Sequence, residues 1–160
     1  PFAPHLSILK AIRQTAVENN TVDGSGAANG VNNLLGGSAA AAGRIFIGRV
    51  EQQAETPYVC IEDLAGRRDN TFTTRGAAFD VTCWVVTKTV NYEIGAAVAD
   101  ALVRCFDGIE VVRFAFAGPV DFRVNMAKWT GTKFVTDDIY FEFGVTFNFI
   151  CEAIEPRVTN

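Results

Sequence analysis

The chain has 160 residues, 49% hydrophobic and 20% charged, which suits one packed domain spanning residues 1–160 and excludes a disordered or fibrous polypeptide. Fourteen Lys and Arg face eighteen Asp and Glu, so the formal net charge of −4 argues against sequence-independent binding of nucleic acid. No run approaches the ~20 apolar residues that span a bilayer, and PFAPHLSILKAIRQ lacks a basic segment followed by an apolar one, so a soluble protein without an export signal and with no membrane partner is expected.

Residues 5–19 (HLSILKAIRQTAVEN) place Leu6, Ile8, Leu9, Ile12, Ala16 and Val17 on one stripe, with Lys10, Arg13, Gln14 and Glu18 largely opposite, as in an amphipathic helix resting on a core. Residues 20–43 carry one charged residue, Asp23, and read as an extended Gly/Ala-rich loop, since glycine resists ordering and alanine has little surface to bury. A loop this long needs support, and a neighbouring subunit is a natural one. RIFIGRV (44–50) reads as a strand and PYVCIEDLA (57–65) as the next, which Pro57 can start because a first residue need not donate to the ladder. GRRDNTFTTR links it to GAAFDVTCWVVT, where Phe79, Val81, Cys83 and Val85 alternate with Asp80, Thr82 and Trp84; the two strands form a hairpin.

The period then changes. Ile94, Val98, Ala101, Leu102 and Cys105 repeat at helical spacing, with Asn91 as N-cap, Glu93 in the first turn and Gly108 as the stop. Two strands close the chain, one from 109 to about 126 with a break near Gly118 and Pro119, the other over 137–152. In the second, Ile139, Phe141, Phe143, Val145, Phe147, Phe149 and Cys151 point one way, and Tyr140, Glu142, Gly144, Thr146, Asn148 and Ile150 the other. The expected class is α+β: an antiparallel sheet of about five strands with two helices packed on one face, in the order α-β-β-β-α-β-β.

No catalytic constellation emerges. The four cysteines, at 60, 83, 105 and 151, each sit in an apolar run without a C-x-x-C pair, and His5 is the one histidine, so inert reduced thiols are expected rather than a zinc site or nucleophile. GSGAANG (24–30) lacks the preceding strand and the spacing of a phosphate loop. Glu62 and Asp63, and Asp137 and Asp138, are adjacent on strands and so point to opposite faces rather than forming acid and base pairs. Two polar tips are expected, Arg67, Arg68, Asp69 and Asn70 at the hairpin, and KWTGTK with Lys128, Trp129 and Lys133 at a second. In an acidic chain such aromatic and basic tips favour a protein interface over a nucleic-acid clamp. No cofactor or metal is called for.

The ordered set G-R-I-F (43–46), P-Y-V (57–59), A-F-D-V-x-x-W (78–84) and A-V-A-D-A-L (97–102), followed by a long closing strand, resembles the tail-completion proteins of tailed bacteriophages. The resemblance covers residues 43–152. It implies a structural virion protein, assembled in the host cytoplasm, of the tail-terminator kind: a ring, commonly of six subunits, at the head-proximal end of the tail tube, meeting the tube protein and the head-tail connector. It also implies no catalysis. Another connector, a stopper or a tube subunit is the alternative. Within such a ring, Glu62, Asp63, Asp137 and Asp138 are candidates for an acidic lumen through which DNA passes without sticking.

Overall fold

The protein is described by a computed structural model covering residues 4–50, 54–68, 76–108 and 122–153. Helix α1 (Pro4–Val17) buries Ile8, Ala11, Ile12 and Ala16, the stripe its sequence spacing marks out, while Leu6 at its start remains exposed. A second, short helix α2 (Val31–Leu34) follows. Strands β1 (Ile45–Ile47), β2 (Tyr58–Arg68) and β3 (Gly76–Lys88) lead into helix α3 (Tyr92–Phe106), and β4 (Phe122–Thr136) and β5 (Tyr140–Ala153) complete the sheet.

The described strands lie in the order β1-β2-β3-β5-β4. The β2–β3 hairpin is in the expected register, Tyr58 opposite Val86 and Arg68 opposite Ala77, with a bulge between Glu62 and Ala65. β5 runs antiparallel between β3 and β4, with Phe147 opposite Val81 on one side and Trp129 on the other. Central placement explains its composition. Phe143, Val145, Phe147, Phe149 and Cys151 are all buried beneath α3, and Phe106 of that helix packs edge-on against Phe147 and Phe149 at 5.4 and 5.9 Å between ring centres. Both long helices lie on this face, α1 against β1 and β2 and α3 against β3 and β5.

The structure departs from the sequence reading in several places. β1 pairs with β2 in parallel, Ile45 opposite Val59, rather than antiparallel, and the chain leaves β1 through Gly48 with φ +79°. The 20–43 segment is not an extended loop awaiting an outside support. It closes on Asn32, a fully buried polar side chain on α2, whose amide reaches the Asn20 side chain (2.9 Å) and the Ser38 and Ala41 carbonyls (3.0 and 3.3 Å) while accepting from Gly43 N–H (2.6 Å). Ile139 does not join the apolar face of the last strand, since the β4–β5 turn holds it exposed. On α3, buried Gly95 takes the inward place expected of Ile94, because Thr87 and Phe143 lie where any larger side chain would go.

α3 begins after a 3-10 turn (Thr89–Asn91), with Asn91 at the N-cap position but making no side-chain capping bond, and ends at Asp107 before Gly108 with φ +71°. Of the strand expected from 109 to about 126, residues 109–121 lie outside the described residues and the rest begins β4.

Candidate functional site

Among the described residues no three His, Cys, Asp or Glu side chains cluster in a way that would hold a metal, and no helix is long and apolar enough to cross a membrane. The thiols are packing. All four cysteines are buried and free, and burial pushes Cys60 up to about 11 and Cys83, Cys105 and Cys151 up to about 12. His5 is exposed and stands edge-on to the Phe79 ring at 5.5 Å.

The GSGAANG segment is not a phosphate cradle. Asp23 Oδ1 accepts from Ser25 Oγ (2.6 Å), Ser25 N–H (2.8 Å) and Ala27 N–H (3.0 Å), so amides that would face an anion already face a carboxylate. Those bonds, the Ser25 hydroxyl first, hold the Asp23 carboxyl below its ordinary value.

Among the described residues, clefts open on both faces of the sheet. On the face without helices, Trp84 lies over Gly144, where an added Cβ would come within 2.8 Å of the indole. Beside it a cleft of about 530 Å³ is lined by Tyr58, Cys60, Glu62, Trp84, Tyr140 and Glu142, with Arg49 and Asp137 at its edge. Two of the expected lumen acids, Glu62 and Asp137, therefore share one site. Glu62 is mostly buried and meets Arg49 Nε at 3.4 Å. Asp137 also caps the β4–β5 turn, accepting from Tyr140 N–H at 2.6 Å and Ile139 N–H at 2.8 Å, and these bonds keep its carboxyl below the usual range. Asp138 is exposed in the same turn. Asp63 follows Glu62 at the β2 bulge. Glu142 is the acid that the search for adjacent carboxylate pairs passed over; its signal was its place on the mixed face of the last strand.

The basic candidates divide. Arg67 and Arg68 are exposed at the end of β2, opposite Ala78 and Ala77, and Arg67 reaches Asp80 at 3.9 Å, an exposed pair of small energetic weight. Asp69 and Asn70 lie outside the described residues. Lys128, Trp129 and Lys133 are not a loop tip: they stand in the middle of β4, opposite Asn148, Phe147 and Gly144. Gly131 and the threonines look like turn chemistry, but the irregularity is a bulge between Trp129 and Gly131 that leaves the strand continuous. Lys128 and Lys133 project on the helix-free face, while Trp129 projects on the helix side, its indole Nε1–H donating to Thr132 Oγ1 at 3.2 Å. There it borders a groove of about 790 Å³ between α3 and β4 that also includes Tyr92, Ala96, Val103 and Phe134.

A sequence profile of the family described as Tail completion protein gp17 matches residues 26–132. The chain belongs to this family. It is thus a tail structural protein of phage type, located in the virion at the tail or neck. The fold agrees with a chain from a solved structure entitled "Virion of native gene transfer agent (GTA) particle": the TM-score is 0.70 at 15% identity, over 96% of this chain and all of that one. Comparison with curated proteins gave no sequence match. The matched segment of the tail-completion family takes in the Asn32-centred loop, all of β1 to β3, α3 and most of β4, so both clefts fall largely within it.

Proposed function

We propose that this tail-completion protein forms a homo-oligomeric ring, of six subunits, at the head-proximal end of the tail tube, where it stops tube growth and joins the tail to the head connector. The match of the gp17 tail-completion profile to two thirds of the chain carries this reading. The surface supports it, because the described residues offer open clefts on both faces of the sheet and exposed apolar side chains such as Trp129, Phe134 and Val135. Catalysis and cofactors have no part in the proposal. Its partners are copies of itself, the tube protein below and the connector above.

DNA passes through such a ring without being gripped. Six copies of a −4 chain carry a formal −24, and a lumen lined by the Asp137 and Glu142 part of the helix-free face, away from Lys128 and Lys133, would present those acids to the DNA. Native mass spectrometry of the purified chain, alone and with tail tubes, tests the assembly. Rings alone or on the tubes support it, whereas a monomer under every condition overturns it.

A further inference from the structure

The two edges of the described sheet are finished differently. At β1 the edge is short and capped from within the chain, with Arg13 Nε donating to the Ile45 carbonyl at 2.9 Å. β4, the last described strand on the other side, is 15 residues long. The end of α3 meets its middle, where Gly108 N–H donates to the Ala127 carbonyl at 2.9 Å and Asp107 accepts from Trp129 N–H at 2.9 Å. From Gly131 to Thr136, the side of the backbone turned away from β5 has no partner among the described residues.

Open edges are normally kept safe by being short, charged or twisted away. This one carries a single charge, Lys133, beside exposed apolar side chains on both faces. Phe134 is 61% exposed on the helix side and Val135 49% exposed on the other, and beneath Phe134 the α3–β4 groove continues the apolar surface through Trp129 and Tyr92. Apolar side chains on both faces are what a strand inside a sheet carries. Here Phe134 and Val135 stand exposed on opposite faces of the described edge, which is accounted for when another polypeptide covers them.

Charge decides which surface covers it. β4 contains Lys128, Lys133 and Arg123, the last of them paired with Glu152 of β5, and no acidic residue. Taking those three from the chain's fourteen basic residues leaves eleven elsewhere, against all eighteen acidic ones. Contact between two β4 strands would set like charges side by side, while the rest of a second copy is acidic overall. We infer that the Gly131–Thr136 half of β4, with the groove beside it, receives a second copy of this chain through a surface other than that copy's own β4. Such a contact is head-to-tail, and repeated by rotation it closes a ring. The inference rests on the ring reading above and adds the surface that makes the ring.

The test is native mass spectrometry of the full chain and of three variants: Phe134→Asp, Lys133→Glu, and Lys10→Glu as a control on the exposed side of α1. Circular dichroism melts check that each is folded. Phe134→Asp and Lys133→Glu are expected to weaken ring assembly at least tenfold, Lys10→Glu to leave it unchanged, and rising salt to weaken the wild-type ring. Wild-type rings that survive both β4 substitutions overturn this inference and leave the ring standing. A wild-type chain that stays monomeric overturns both.

Discussion

Replacing Asn32 by Ala isolates what holds residues 20–43 in place. The side chain is fully buried, and its two N–H hydrogens are shared among three acceptors while its oxygen accepts from Gly43 N–H. At most two donated bonds and one accepted bond are lost, each worth roughly 1 kcal/mol net, and buried partners left unpaired cost more than the mean bond. Space limits how the site can relax, because Gly37 and Gly43 are pressed so closely on Asn32 that a Cβ on either would meet its side chain within 3.1 Å. Water entering the vacated volume offsets part of the loss. The expected destabilisation is therefore about 2–3 kcal/mol, read as a lower urea midpoint at unchanged slope. Limited proteolysis should show earlier cleavage within 20–43. A loss under about 1 kcal/mol, with the loop still protected, would refute the view that this one amide organises the segment.

Gly95→Ala sets helix propensity against packing: alanine gains ~1 kcal/mol in a helix interior, but its Cβ would lie 2.6 Å from Thr87 Cγ2 and 2.9 Å from the Phe143 ring, both buried. Packing should win, so the melting temperature is expected to fall, and a rise would contradict the close approach. The cysteine thiols, held at about 11 to 12 by burial, should resist iodoacetamide at neutral pH in the native protein and all react once it is unfolded; rapid native labelling would show that one is accessible. For Asp137 the folded value lies below the unfolded one, because the Tyr140 and Ile139 amides bond the carboxylate. Its contribution to the β4–β5 turn is therefore complete above about pH 4 and lost as pH falls through the lowered value. An NMR titration of that carboxyl with a midpoint at or above the ordinary value would remove the turn-capping role.

β3 alternates in sequence but is buried on almost its whole length, whereas β5 was legible in the sequence because one side of it packs under helices, so alternation at period two translates directly into burial. The same holds for α3, whose Val98, Ala101, Leu102 and Cys105 occupy the inward face. What escaped the sequence reading depends on contacts between distant residues. Asn32 is held by partners up to twelve positions away, and the parallel direction of β1 shows only in its pairing with Val59 to Ile61, not in its own side-chain pattern. KWTGTK reads as a turn until the bulge at Gly131 is seen to absorb its irregular residue within a paired strand. The grouping of Glu62, Asp137 and Glu142 likewise arises from pairing across β2, β3 and β5, which no local pattern announces.

The central claim is termination of the tail tube by this chain, and tail length tests it most directly. In particles produced without the protein, electron microscopy should show tubes longer than normal and lacking heads. Tails of normal length that fail only to attach would assign the protein to joining rather than termination, and normal tails attached to heads would contradict the account altogether.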